Sequence, residues 1–244
     1  MGTLLLAAVL STAPADPYEW KGQGPKVSEI TSLRELTLLR NDIYARAHNP
    51  FRKRWLDTWF RQFDWYQPHA QLEVSSLSAL QIRHAKRIAD REASLSRETL
   101  QQNADRLVYG PRTPEQEIEL RLIAARLGGW PLPLGKPDDL SPLEDPDQLD
   151  RLLSLQQLAD LSPRDLRLLR ETVKARRGFA FDTDPDLEGH FSTVAWYHAK
   201  KDPKLTRLDQ TNIKLISSVL KTIHQPEPSE LLADLPKPRF MGWG

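Results

Sequence analysis

The stretch Ser162-Pro163-Arg164-Asp165-Leu166-Arg167-Leu168-Leu169-Arg170 decides the fold, because it nearly repeats one that lies 130 positions earlier. The earlier stretch reads Ser32-Leu33-Arg34-Glu35-Leu36-Thr37-Leu38-Leu39-Arg40. Each begins with a serine and has an acidic residue three positions later, which is typical of a capped helix start. The leucines that follow recur at the three- and four-residue spacing of a buried helical face. The sequence therefore predicts the same helix twice.

The repeat continues beyond the first helix. The two helices end in Tyr44-Ala45-Arg46-Ala47-His48-Asn49-Pro50-Phe51 and in Lys174-Ala175-Arg176-Arg177-Gly178-Phe179-Ala180-Phe181, with predicted stops at Asn49-Pro50 and at Gly178. A short second helix is predicted around Leu56 and Phe60, and again around Leu187 and Phe191. The pairs Trp65-Tyr66 and Trp196-Tyr197 follow. A third helix is predicted from two matched sets: Leu77, Ile82, Ala85, Ile88 and Leu208, Ile213, Ile216, Val219.

Together these motifs resemble the YARHG family, which is named for a Tyr-Ala-Arg-His-Gly string after a helix rich in leucine and arginine. Copy one keeps Tyr44-Ala45-Arg46 but has Ala47 and His48 where His and Gly are expected. Copy two keeps Ala175-Arg176 and Gly178, with Lys174 and Arg177 in place of Tyr and His. The resemblance implies extracytoplasmic bacterial modules of no established molecular function. Any activity that needed the motif's histidine is not expected, since both copies lack it.

The predicted fold is mainly α-helical, with two repeated three-helix modules. Residues 31–92 form copy one and residues 161–224 form copy two. A helical and Pro-rich connector, 93–160, joins them; it contains a helix from Thr113 to Gly128, an irregular stretch at 130–146 and a short helix from Asp147 to Leu161. An extended N-terminal arm is predicted at 16–30 and a Pro-rich tail at 225–244.

The first fifteen residues have features of a signal peptide. Leu4 to Leu10 form an apolar run, and Ala13-Pro14-Ala15 provides small residues at a plausible cleavage site, although no basic residue precedes the run. The run is shorter than the roughly 20 apolar residues that span a bilayer. We therefore expect a periplasmic or secreted protein without a transmembrane span. A folded N-terminal segment is the alternative.

Composition and motifs exclude several classes of function. Among 244 residues there is no cysteine, and the net charge is +1, so neither thiol chemistry nor a strong attraction to nucleic acid is expected. The six histidines are scattered and match no metal-binding spacing. The series Asp182, Asp184, Asp186 lacks the later glycine and acidic residue of a calcium loop. The acidic pair Glu144-Asp145 is interpreted as solvated rather than as a glycosidase pair. We predict no metal, no cofactor and no catalytic residue.

The recurring arginines and aromatic residues are the candidate binding residues: Arg46, Trp65, Tyr66, Arg176, Trp196 and Tyr197. A guanidinium that stacks on an indole can anchor a small helical unit. The same groups can also form a pocket for an anionic or sugar ligand. The sequence favours the structural interpretation, because tryptophan contributes a large buried area to a small core.

The sequence predicts a non-catalytic, exported cell-envelope scaffold or binding protein whose partner is an envelope protein or a cell-wall component. A cell-wall-acting enzyme or enzyme accessory is one alternative, which a deep cleft with paired carboxylates or histidines would favour. A cytoplasmic structural protein is another, which an intact N-terminus on the native protein would favour.

Overall fold

The computed structural model describes residues 26–70, 76–131 and 135–223. The predicted leader at 1–15, residues 16–25 of the arm and the tail at 225–244 lie outside the described residues. The described part is helical and contains no strand, which confirms the mainly α prediction. The α-helices run as follows: α1 Leu33–Ala45, α2 Arg54–Phe60, α3 Ala79–Ser94, α4 Arg97–Val108, α5 Pro114–Leu127, α6 Leu155–Leu158, α7 Pro163–Ala175, α8 Pro185–Ser192 and α9 Arg207–Thr222.

The first core forms where α1 packs against α3 and α5. Leu36, Leu39 and Ile43 on α1 are almost fully buried, as their spacing predicts. Burying a side chain of this size stabilises the fold by about 1.5–3 kcal/mol. Ser32 accepts a hydrogen bond from the Glu35 amide at 3.1 Å, which confirms the predicted N-cap. A carboxylate from α5, that of Glu119, accepts from the Leu33 amide at 2.9 Å and adds a second cap.

The second core forms where α7 packs against α9. Its buried residues Leu166, Leu169 and Val173 lie on α7 at the predicted spacing. The predicted capping box of Ser162 and Asp165 is present, with Pro163 at the first helical position. The connector also contributes to this core, through Leu143, Leu149, Leu153 and Leu158. The end of the connector is therefore packed into the second module rather than separate from it.

The ends of α1 and α7 share a set of local contacts. His48 has a φ of 61° and Gly178 a φ of 90°, so both positions are left-handed. The His48 carbonyl accepts from the His69 amide at 2.9 Å, and the Gly178 carbonyl accepts from the Lys200 amide at 2.8 Å. The prediction that Asn49-Pro50 stops the first helix is wrong, because α1 ends at Ala45 and His48 makes the left-handed turn that glycine usually makes.

The third helices are less alike. The first residue of α3 is 79 and that of α9 is 207, so their starts lie 128 positions apart and not the 131 of the predicted matching. The buried residues of α3 are Ala85, Ile88 and Glu92. Those of α9 are Asp209, Asn212 and Ile216. The superposition of two whole modules, with Ile82 on Ile213, therefore stays a prediction.

The connector contains α4, α5 and two short turns. The predicted cap at Thr113 and the stop at Gly128 are both observed on α5. The predicted helix from Asp147 to Leu161 is wrong: a 3-10 turn covers Pro146–Asp150 and a single α turn covers Leu155–Leu158. The break occurs because Asn212 on α9 binds the intervening backbone, accepting from the Leu153 amide at 3.0 Å and donating to the Arg151 carbonyl at 3.0 Å.

Candidate functional site

A groove of about 510 Å³ lies between the connector and the end of α7. Its described lining consists of Gly128, Gly129, Trp130, Lys136, Asp145, Pro146, Asp147, Arg176 and Trp196. A second groove of about 780 Å³ adjoins it and shares Lys136, Asp145 and Asp147 with it. We call the two together the connector groove. Volumes of this order suit a small organic ligand.

Gly128 sets the position of one wall of the groove. It ends α5 in a left-handed conformation with φ of 75°, which glycine adopts at no steric cost. A Cβ here would lie 2.7 Å from Cγ1 of Val194 and 2.9 Å from Nε1 of Trp196. Instead, the Trp196 indole donates a hydrogen bond to the Gly128 carbonyl at 2.6 Å. This contact fixes Trp196 of the second module in the groove that Trp130, two residues after Gly128, also lines.

Arg176 lines the same groove and holds the 146–150 turn. Its guanidinium donates to the Pro146 carbonyl, and to the Asp150 carboxylate at 2.8 Å. The predicted stacking of this arginine on Trp196 is not observed, because its donors go to the connector. The neighbouring Arg177 occupies the position of the motif's histidine. It donates two hydrogen bonds, of 2.7 and 2.8 Å, to Asp209 at the start of α9.

The corresponding residues of copy one form a closed cluster. The Arg46 guanidinium lies 4.4 Å from the centre of the Trp65 ring, within the range of a cation–π interaction. Its Nε donates to Asp42 at 3.0 Å. Tyr66 donates to the Asn49 carbonyl at 3.0 Å, and Tyr197 donates to the Phe179 carbonyl at the same distance. Burial raises the pKa of Tyr66 to about 12, so this hydroxyl remains protonated.

Lys136 lines both parts of the connector groove and contributes a positive charge to it. Its ammonium forms an ion pair with Asp145 and a longer one, of 3.5 Å, with Asp147. The hydrogen bond to Asp145 raises the pKa of Lys136, which keeps the ammonium charged. Trp130 is largely buried at the end of the groove, and none of the described residues accepts a hydrogen bond from its Nε1–H.

The acidic pair Glu144-Asp145 does not face a common substrate position. Asp145 lines both parts of the connector groove, whereas Glu144 lines neither. Burial raises the pKa of Glu144, but its carboxylate accepts from the Ser141 amide at 2.9 Å and lies 3.5 Å from Arg121. The two carboxyl groups of a glycosidase flank one scissile bond, an arrangement that this pair does not form.

The basic side chains of the run Arg52-Lys53-Arg54 make contacts within the protein. Arg52 donates to the carbonyls of Leu161 and Ala159, at 3.0 and 2.8 Å. Lys53 lies 3.0 Å from Asp165 on α7. These contacts join the start of α2 to the start of α7. The charges of this run are therefore used within the fold.

A second contact between the halves has a buried histidine at its centre. His190 on α8 lies against Arg126 of α5, with 2.8 Å between Nδ1 and a guanidinium nitrogen. Burial, together with the positive charges of Arg126 and Arg164, lowers the pKa of His190 to about 3. The ring is therefore neutral near pH 7, and Nδ1 accepts the hydrogen bond.

The described residues lack two features, a metal-binding cluster and a membrane-spanning helix. Within residues 26–70, 76–131 and 135–223, no group of three or more His, Cys, Asp or Glu side chains is placed to hold a metal ion. In the same ranges, no helix combines the length and the apolar character that a bilayer crossing requires.

Residues 144–221 match the YARHG domain. The match covers residues 161–221 of the second module and begins before its predicted boundary at 161, so it includes the 146–150 turn that Arg176 binds. It also contains most of the groove residues discussed above, including Asp145, Asp147, Arg176 and Trp196. The first copy lies outside the match, and its membership of the family stays a prediction. No curated protein and no solved structure matches the chain.

Sequence reasoning identified Arg176 and Trp196 but not the residues they face. The sequence places Trp130 and Lys136 in the irregular stretch at 130–146, and Asp147 at the start of a predicted short helix. The usable signal was the doublet Gly128-Gly129 at a helix end, because a left-handed cap redirects the chain and brings the next side chain back toward the body. A tryptophan directly after such a cap is a candidate for burial.

Proposed function

We propose that this chain is a non-catalytic, exported binding protein of the bacterial cell envelope, built from two YARHG-like modules. The observation that carries the proposal is the connector groove. Residues of the YARHG match supply its Arg176 and Trp196 wall, and the preceding connector supplies Trp130 and Lys136. The partner is a cell-wall component or an envelope protein that presents a segment to this groove.

Several features support binding rather than catalysis. The groove carboxylates Asp145 and Asp147 are both ion-paired with Lys136. Arg176 and Arg177, which occupy the motif's arginine and histidine positions, hold other parts of the fold. In copy one the corresponding groups form a closed aromatic cluster. We infer that copy one acts as a support and that copy two carries the binding surface.

In this proposal the second unit begins earlier along the chain than the sequence predicts. Copy one is kept at 31–92. The second functional unit is extended from 161–224 to begin at 144, since the 146–150 turn is bound by Arg176 and lies within the YARHG match. The remaining connector, 93–143, then joins the units and supplies one wall of the groove.

The experiment is fractionation of the native cell, followed by mass spectrometry of the N-terminus and of cross-linked partners. We expect the protein in the periplasm or medium, beginning near Asp16, cross-linked to an envelope component. Recovery from the cytosol with Met1 or Gly2 at its start would contradict export. Release of soluble fragments from purified cell wall by the pure protein would contradict a non-catalytic role.

A further inference from the structure

Most of the acidic side chains along the connector groove are ion-paired within the protein. The 780 Å³ part is lined by five aspartates: Asp138, Asp139, Asp145, Asp147 and Asp160. Four of them have cationic partners. Asp139 lies 2.6 Å from Arg121, Asp160 lies 3.6 Å from Arg54, and Asp145 and Asp147 share Lys136. Such a surface gives neither a polyanion nor a polycation the strong one-signed field that attracts it.

The groove nevertheless offers many hydrogen-bonding groups. Carboxylates accept, while Lys136 and Arg151 donate, and the amide of Gln156 does both. Arg151 and Asp147 both line the groove, and 81% of the Asp147 side chain is exposed to solvent. A ligand with many hydroxyl groups fits this mixture, because each hydroxyl both donates and accepts.

One end of the groove has an aromatic surface. Trp130 and Trp196 both line the 510 Å³ part. Flat indole rings bind the apolar face of a ligand and offer an N–H at one edge. The Trp196 N–H is already used by Gly128, and the Trp130 N–H, which has no acceptor among the described residues, is itself buried. A ligand at this end therefore meets ring surface rather than either N–H group.

From these three observations we propose that the connector groove binds a neutral oligosaccharide, with one sugar ring against the half-buried Trp196 and the small exposed part of Trp130, and the following units along the polar wall. Sugar rings combine apolar C–H faces with neutral hydroxyl groups, which is the combination that this groove complements. This inference deepens the proposed function, on which it rests, by naming the ligand class.

Gly129 provides a direct steric test. It lines the groove, its φ is not left-handed, and no heavy atom of the described chain beyond its immediate neighbours lies within 4 Å of a Cβ built there. Gly129→Trp therefore fills the groove from an unstrained position. Gly189 on α8 has the same free space and lies outside the groove, so Gly189→Trp is the matched control.

The measurement is calorimetric titration of the full chain with chitotetraose, a neutral oligosaccharide probe. We expect binding to the parent and to Gly189→Trp, and affinity at least tenfold weaker in Gly129→Trp, with similar melting temperatures. Raising NaCl from 50 to 500 mM should leave the affinity within about twofold, because a neutral ligand is not screened. A heparin hexasaccharide and hexalysine should bind at least tenfold more weakly.

If Gly129→Trp does not fold, Asp147→Arg replaces it and Asp64→Arg becomes its control, since both aspartates are exposed. Absence of chitotetraose binding, equal binding to Gly129→Trp, or tighter binding of either charged probe overturns the saccharide site. An envelope-located protein that ignores chitotetraose overturns this inference and keeps the proposed function. A cytosolic protein that binds chitotetraose in the groove keeps the site and overturns export.

Discussion

Nδ1 of His190 lies 2.8 Å from a guanidinium nitrogen of Arg126, so a neutral histidine accepts a hydrogen bond from a permanent cation where the two halves of the protein meet. Arg126 also donates to the Ala93 carbonyl at 3.1 Å, directly after Glu92 of α3. On the other side, Arg164 of α7 lies 3.9 Å from Glu92. The contact therefore joins α3, α5, α7 and α8.

This geometry predicts that the protein loses stability in mild acid through His190. The pKa is about 3 in the folded chain and about 6.5 when unfolded, so between these values the unfolded chain binds a proton that the folded chain does not. Stability is then greatest above pH 6.5 and falls as the pH is lowered. Between pH 7.5 and 5.0 the loss from this group is about 2 kcal/mol, taking about 1.4 kcal/mol per pH unit below 6.5.

Urea unfolding at both pH values measures this effect. His190→Gln keeps an acceptor for Arg126 without titrating, so its loss between the two pH values should be smaller by about that amount. His198→Gln, at an exposed position, is the control and should resemble the parent. A His190→Gln protein with the parent's pH dependence would show that His190 is not the titrating group.

A second prediction concerns the left-handed turn at Gly178. Alanine there places Cβ 2.6 Å from Cγ of Lys200 and 3.0 Å from the His198 carbonyl oxygen, at a φ of 90°. We expect Gly178→Ala to lower the free energy of unfolding by at least 1–2 kcal/mol, an order-of-magnitude figure for strained backbone. Gly189→Ala, within α8, should instead be neutral or stabilising by up to about 1 kcal/mol. Chemical denaturation of both variants gives the comparison, and equal effects would contradict it.

How much of the fold the sequence predicts depends on how local the signals are. The starts of α5 and α7 were predictable because cap, proline and first turn lie within four residues. The left-handed turn at His48 was not, because histidine rarely adopts that conformation and the signal appears only through comparison with Gly178. The candidate site was predictable in part. Arg176 and Trp196 belong to a recurring motif, whereas Lys136 and Trp130 line the same groove only because of the tertiary fold.

The break after Asp150 shows the same limit and leads to a third prediction. Asn212 on α9, 1% exposed, binds the backbone of Arg151 and Leu153 from about sixty positions along the chain, so no local pattern indicates it. Asn212→Leu should cost about 1–3 kcal/mol, since it leaves buried backbone groups without partners. Gln210→Leu, on the exposed side of the same helix, is the control. Thermal melting of the two variants tests this, and equal melting temperatures would argue against the role of Asn212.

The last prediction concerns the two motif arginines, which we expect to be structural to different degrees. The Arg176 side chain is 19% exposed and binds a backbone carbonyl and a carboxylate of one turn, whereas that of Arg46 is 32% exposed and stacks on Trp65. Arg176→Ala should cost about 1–3 kcal/mol, or a few degrees of melting temperature for a chain of this size. Arg46→Ala should cost as much or more, about 1.5–3 kcal/mol, because it removes both the cation–π contact and a charged hydrogen bond to Asp42, whose side chain is only 3% exposed.

Lysine substitutions separate shape from charge at these two positions. Arg176→Lys should rescue poorly, because a single ammonium cannot reach both acceptors of a planar fork. Arg46→Lys should rescue better, because an ammonium can still lie over Trp65 and near Asp42. Melting temperatures of the four variants, with chitotetraose titration as a second readout, provide the measurement. Unchanged melting of Arg176→Ala together with lost chitotetraose binding would make this arginine a ligand-binding residue, because a residue that only holds the 146–150 turn would affect both.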